Sequence, residues 1–281
     1  MGTNSMGGLK MDVKSPNNEF SISVEVVPPK GPDAEAVLDA LSGLSGLSFD
    51  GFSVATNPVA KPRMSAMALC SLIQKTISKP ATLHCTTRDH NRLSLQGTLW
   101  GAKALGIESI LAASGDFVAL ADRGSISTVR DVDVYGLVRM AREAGMQTGV
   151  VFDIHPEANG LTPAVRHLEK KAAAGAQFAV TQPVYDEKGA DLIIESVRHI
   201  GIPVIMGILP LRTPRHAMFL HDKVAGIAVP KALRDRMHQS SNPVAEGASN
   251  AKEMLALARE RFTGVCVMPP FDHYEVLAEI L

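Results

Sequence analysis

At 281 residues, 46% hydrophobic and with a formal net charge of -1, the chain can fill one large core and shows no basic run of the kind nucleic-acid binders carry. Its three cysteines, Cys70, Cys85 and Cys266, are far apart and include no Cys-x-x-Cys, so they indicate neither a disulfide framework nor a zinc site and suit a reducing, cytoplasmic setting. There is no apolar run of about 18 residues to cross a membrane, and residues 1–19, rich in Gly, Ser and Asn, read as a flexible tail.

From residue 20 onward the pattern alternates strand and helix. Phe20 to Val27 alternates and is β-branched, a strand that Pro28-Pro29 ends. Asp33 then reads as the N-cap of a helix through Leu44. Gly51 to Ala55, Ala81 to Cys85, Ser109 to Ala113 and Thr148 to Phe152 are further short apolar strands, with helices near 65–77, ending at Leu105, and over 133–144 between them. The connection from Phe117 to Val132 is long for a compact barrel, which marks it as functional.

Leu161 to Ala174 reads as a helix whose last turn carries Lys170 and Lys171, where cations suit the negative end of the helix dipole. Gly175 stops it and Gln177 to Thr181 is a buried strand, followed by Gln182, Tyr185 and Asp186 in a polar loop. Helices over 191–199, 214–221, 230–238 and 248–261, strands at Pro203 to Gly207 and Gly264 to Met268, and a closing helix over 272–281 complete the chain. Eight strands with intervening helices predict a (β/α)8 TIM barrel as a single domain over 20–281. An open doubly wound sheet is the competing reading, but no Gly-x-Gly-x-x-Gly follows any strand.

In a barrel the strand C-termini form the ligand-binding face. Aligned there are Glu25, Thr56-Asn57, His84 with Thr86, Asp116, Asp153 with His155, and Gln182. No spacing suits a metal site or a nucleophilic triad; the set suits a polar heterocycle held by hydrogen bonds, with carboxyls for proton transfer. Each residue also has a plainer role. Glu25 in Val24-Glu-Val-Val-Pro could pair with a lysine, Asp116 after Ser-Gly could cap a turn, and His84 could be a hydrogen-bonded core residue. Gln182 before Pro183 could bond backbone, and Lys171 could be a solvated helix-end charge.

These segments together resemble the methylenetetrahydrofolate reductase family, in particular the reductase part of bifunctional homocysteine methyltransferase/reductase proteins. The carrying motifs are Val24-Glu-Val-Val-Pro-Pro-Lys30, Ser53-Val-Ala-Thr-Asn-Pro58, His84-Cys-Thr-Thr-Arg-Asp-His-Asn91, Ser114-Gly-Asp116, Thr181-Gln-Pro-Val-Tyr-Asp186, Gly207-Ile-Leu-Pro-Leu211 and Gly264-Val-Cys-Val-Met-Pro-Pro-Phe271. The resemblance implies FAD on the C-terminal face, reduced by NADH or NADPH, and 5,10-methylenetetrahydrofolate as the folate substrate, within one-carbon metabolism and methionine biosynthesis. By the same resemblance Glu25 is the general acid that assists protonation at folate N10, and Asp116 is the carboxylate near flavin and pterin. Gln182, with Tyr185, is expected to bind substrate; His84, Thr86, Ser114, Gly115, Asp153 and Lys171 fall at FAD contacts. The chain departs from the family pattern at Ala55, where a Thr is common, at Ser114, where an Arg is frequent, and at Asp153-Ile-His-Pro156. Those departures favour, as alternatives, a flavin-free reductase with direct hydride transfer or a folate-binding subunit that needs a redox partner. Self-association through outer helices would be ordinary for such a barrel.

Overall fold

A computed structural model describes residues 20–153, 160–224 and 226–281. Eight parallel strands, β1 (Ser21–Val26), β2 (Gly51–Val54), β3 (Ala81–Thr86), β4 (Ser109–Ala113), β5 (Gln147–Phe152), β6 (Phe178–Pro183), β7 (Val204–Ile208) and β8 (Gly264–Val267), close in sequence order into a barrel. The helices are α1 (Glu35–Ser42), α2 (Ala66–Ile77), α3 (Arg92–Ala104), α4 (Val134–Glu143), α5 (Leu161–Ala173), α6 (Glu187–Val197), α7 (Pro214–Lys223), α8 (Lys231–Gln239), α9 (Pro243–Arg261) and α10 (Leu277–Ile280). This is the expected (β/α)8 fold. The expected tail over 1–19 and the strand-end residue His155 lie outside the described residues.

Strand alternation divides the core in two. Val24, Val26, Phe52, Val54, Leu83, Ile110, Val150, Met206 and Val265 face outward and pack with the helices into the main apolar cluster. The opposite faces of β4 to β8 supply Leu111, Phe178, Val180, Ile205 and Cys266, which meet inside the barrel with Val151 and Met268 against them. Space for this inner layer comes from small residues. A Cβ on Gly149 would stand 2.2 Å from the Phe178 ring, and one on Gly264 would stand 2.2 Å from Ser21 Oγ. Only hydrogen at Gly149 lets the ring lie across the interior, and only hydrogen at Gly264 lets β8 approach β1 at Ser21, at native packing density.

Local signals explain most helix ends. Ser65, Asn91 and Asp133 each accept a hydrogen bond from a backbone N–H in the first turn of α2, α3 and α4. Gly175, at φ +111°, ends the α5 connection in a conformation that side-chain-bearing residues rarely adopt. Four expectations move. The α1 cap position is Ala34, although Asp33 Oδ1 still accepts from the Glu35 N–H at 2.9 Å. Helix α6 begins at Glu187 rather than 191, because Asp186 caps it through the Gly189 N–H. Helix α9 begins at Pro243 rather than 248, since Asn242 caps the Ala245 N–H and proline suits a first turn. The closing segment is not one helix: Pro270–Asp272 and Tyr274–Val276 form 3-10 turns before α10, and positive φ at Phe271 and Asp272 interrupts a continuous helix.

Candidate active site

The barrel mouth gathers most of the aligned strand-end residues. Glu25 on β1 is paired in register with Ser53 on β2, on the inward side of the alternation. Among the described residues no lysine or arginine forms an ion pair with Glu25, so the plain structural-pair role is not what the fold provides. Loss of water contact, with the negative charge of Asp116 adding to it, raises the Glu25 pKa to about 7. Near neutral pH this carboxyl therefore holds its proton about half the time, the condition a general acid needs.

His84 on β3 lies alongside. Its Nε2 shares a hydrogen bond of 2.7 Å with Ser53 Oγ, and Thr56 Oγ1 donates to its backbone carbonyl at 2.5 Å. Burial lowers its pKa to about 4, so the imidazole is neutral near pH 7. Thr86 caps the same strand, buried, with Oγ1 at 3.3 Å from Asp89 Oδ2.

Asp116 is exposed at the end of the β4 turn, where its Oδ2 accepts from the Val59 N–H at 2.5 Å. The capping role considered for it is thus realised across the mouth and not within its own turn. The segment it holds is unusual: Asn57, Val59 and Ala60 have φ of 41°, 49° and 56°. Such values are costly for a β-branched residue and persist only where neighbours over-determine them. The second anchor is Arg88, whose role the sequence did not single out. Its guanidinium is 5% exposed in the side chain, grips Asp89 in two hydrogen bonds of 2.6 Å, and donates to Asp116 O at 3.0 Å and Asn57 O at 3.2 Å. One residue so ties together the ends of β2, β3 and β4. The adjoining Arg88-Asp89 pair in a polar strand-end loop was the available clue. Ser53, also missed, lies between the outward Phe52 and Val54, and that alternation sends it inward.

On the other side, Lys171 leans back from α5 to donate to Val151 O at 2.7 Å. It is not a solvated helix-end charge. Burial lowers its pKa, against the opposing pull of the nearby Asp153 carboxylate. Gln182 sits within β6, not in the loop beyond it. A Cβ on Gly226 would fall 2.1 Å from Asp153 Oδ1 and 3.0 Å from Gln182 Cγ, so this glycine, at φ +88°, lets the chain pass directly over both. Tyr185 lies in the loop between β6 and α6, as expected, but is buried against Leu211, Ile227 and Val229 and not open to solvent.

Two adjoining clefts run outward from β3, β4 and β5, with volumes of about 720 and 610 Å³. They share Thr87, Ser114, Val129 and Arg130, and the first reaches Asp153 and Lys171 while the second reaches Gly115, Asp116 and Arg123. Among the described residues no group of three His, Cys, Asp or Glu side chains could hold a metal ion. No described helix is long and apolar enough to cross a membrane.

The sequence model of the family described as methylenetetrahydrofolate reductase matches residues 10–261. The chain belongs to the methylenetetrahydrofolate reductase family. A "probable methylenetetrahydrofolate reductase (NADPH)" of Caenorhabditis elegans is 31% identical over 139 residues, 46% of this chain but 20% of that protein. A 5,10-methylenetetrahydrofolate reductase of Buchnera aphidicola (from Schizaphis graminum) is 26% identical over 208 residues, 72% of this chain and 70% of that one. Among solved structures, a Clostridium thermocellum protein described as binding two copies of 5-methyl-5,6,7,8-tetrahydrofolic acid superimposes with a TM-score of 0.66 at 14% identity, over 94% of this chain and 96% of that one. At that identity the likeness speaks for the shared fold. Within this family frame, Glu25, His84, Thr86, Ser114, Gly115, Asp116, Asp153, Lys171 and Gln182 all lie at or beside the C-terminal face of one barrel, whereas Tyr185, just past the end of β6, is buried in a side cluster.

Proposed function

We propose that the chain reduces 5,10-methylenetetrahydrofolate to 5-methyltetrahydrofolate with FAD as its bound cofactor and NADH or NADPH as electron donor. The observation that carries this reading is the Glu25 carboxyl, placed at the mouth and raised to a pKa of about 7. Opening the five-membered ring of the substrate needs a proton at N10, and an acid that is half-protonated at working pH can give one and be recharged.

The paired clefts suit a long, polar ligand such as FAD. Each volume lies in the range of small-molecule sites, and the two adjoin at Thr87, Ser114 and Arg130, which line both. Arg123 and Arg130 would supply positive charge for a diphosphate, Gly115, Asp153 and Lys171 line the same clefts and would help hold the cofactor, and His84 and Thr86 stand close by at the end of β3. FAD, when bound, supplies the hydride chemistry, while the protein contributes position and electrostatics. In this chain Glu25 holds the proton for N10, its burial and then the charge of Asp116 keep that proton in place, and neutral His84 and Ser53 fix the polar floor beneath them. Gln182 presents an amide that can pair with the pterin edge. The names of the relatives, among them one specified as NADPH-dependent and one solved neighbour described as folate-binding, support the substrate class and the donor.

A flavin-free reductase with direct hydride transfer is the second reading. It is favoured by Ser114, which is exposed on the shared wall of the two clefts and puts a hydroxyl there. An absorbance spectrum of the purified protein after addition of FAD, then of NADH or NADPH without oxygen, separates the two. Flavin bands near ~450 nm that bleach with one nicotinamide are expected and name the donor. A protein that stays colourless in excess FAD, yet oxidises NAD(P)H when folate is added, would overturn the flavin reading.

A further inference from the structure

Outside the mouth, between the outer side of β6, helix α6 and the segment joining α7 to α8, lies a separate cavity of about 420 Å³. Its walls are largely apolar, with Phe152, Val184, Leu192, Ile193 and Val229 among them. Into this apolar lining are set three polar groups with no hydrogen-bond partner among the described residues: Tyr185 Oη, His221 Nδ1 and Arg234 Nε. Tyr185 is only 4% exposed.

Buried polar atoms without partners oppose folding, and native proteins keep them where something else completes them. Burial pushes the Tyr185 phenol up from its ordinary value, so it stays a neutral donor. The Arg234 guanidinium has no acceptor lone pair at all. Its one hydrogen bond among the described residues is to Met218 Sδ at 3.4 Å, a weak acceptor, and no carboxylate there pairs with it. Neighbouring charges are already engaged: Lys231 with Asp235 at 2.6 Å, and Asp186 Oδ1 with the Gly189 N–H at 2.8 Å. What the cavity lacks is an acceptor placed on Arg234 Nε and Tyr185 Oη, and what it offers beside that is apolar surface.

We infer that this cavity is a second ligand site, taking a small molecule with an apolar or aromatic body and a carboxylate directed at Arg234 and Tyr185. Gln182 lines its inner end, which allows two sources of that chemistry. One is the aryl-glutamate tail of the folate itself, which rests on the proposed function; the other is an independent aromatic carboxylate.

The test is a calorimetric titration of N-(4-aminobenzoyl)-L-glutamate into the full chain and into Arg234→Met and Tyr185→Phe. Saturable binding to the unaltered chain is expected, weakened roughly tenfold or more by Arg234→Met through loss of a charge-assisted contact. Tyr185→Phe should bind the probe more weakly yet unfold, without probe, at the same or a higher temperature, because it loses an uncompensated hydroxyl. Absence of saturable binding to the unaltered chain, or equal affinity in all three, overturns the assignment. A merely structural Tyr185 gives the reverse pattern, a lower unfolding temperature with unchanged probe affinity, and also overturns it. Repeating the titration with saturating 5-methyltetrahydrofolate identifies the source: displacement of the probe means the folate tail, simultaneous binding means a separate ligand. Failure to bind folate at all would count against the reductase reading while leaving the probe titration intact.

Discussion

The barrel mouth and the cavity outside β6 are built on different principles. On the β2 to β4 side, Arg88 sits at the centre of a satisfied network, with Asp89, Asn57 and Asp116 accepting from it and Asp116 in turn holding a strained loop. On the β6 to α8 side, Tyr185, His221 and Arg234 keep polar atoms without partners among the described residues. A completed network is scaffold: it sets where the acidic groups stand. Uncompleted groups, like the raised pKa of Glu25, are stability set aside for a ligand.

The sharpest way to break this contrast is at the acid. Glu25→Gln keeps the shape of the side chain and removes the proton, so folate reduction should fall by roughly 10²–10⁴-fold while the fold and any flavin binding persist. Steady-state turnover with a flavin titration checks this, and near-unaltered turnover would take Glu25 out of the acid role. On the scaffold side, Arg88→Met leaves the partly buried Asp89 carboxylate without its counter-charge and should cost about 3–5 kcal/mol in urea unfolding. A loss below ~1 kcal/mol would mean that the network is not what holds the three strand ends.

Proton linkage gives a subtler test. The Glu25 pKa is raised from 4.5 to about 7, so the native state binds its proton more tightly and stability declines as pH rises through that window. The His84 pKa is lowered from 6.5 to about 4, so the unfolded chain binds that proton more tightly and stability declines as pH falls through the lower window. The windows overlap and the slopes oppose, which predicts a shallow stability profile between pH 5 and 6. Glu25→Gln should uncover a clear loss of stability toward acid, measurable as denaturation midpoints across pH; an unchanged profile would contradict the two shifts. The smallest expected effect is that of Ser53→Ala, which removes one hydrogen bond to His84 and should cost about 1 kcal/mol.

Much of this architecture was legible from residue order. Strand positions came from short β-branched runs, and β4 matches the expected span of Ser109 to Ala113 in full. Alignment of the strand C-terminal ends also placed Glu25, His84 and Gln182 at one end of the barrel. The sequence was silent where long-range contacts decide. The Arg88-Asp89 pair hints at an ion pair but not that Arg88 joins three strand ends, and the burial of Tyr185 in its loop depends on Leu211, Ile227 and Val229, which lie far along the chain. The closing helix failed for a similar reason, since the φ of 54° at Phe271 reflects tertiary context where the ring packs near His216, with centroids 5.2 Å apart.

The ring of Phe178, lying across the interior over Gly149 among Leu111, Val180, Ile205 and Cys266, also governs traffic. It fills the interior near the start of β6, away from the strand C-termini, which leaves the mouth as the open side of the site where Glu25 stands. Under the role proposed for Glu25, a ligand filling that mouth separates the acid from buffer, so that a turnover runs on the proton it was loaded with. Recharging then waits on departure of the product, which ties the rhythm of acid catalysis to the rhythm of exchange at the mouth.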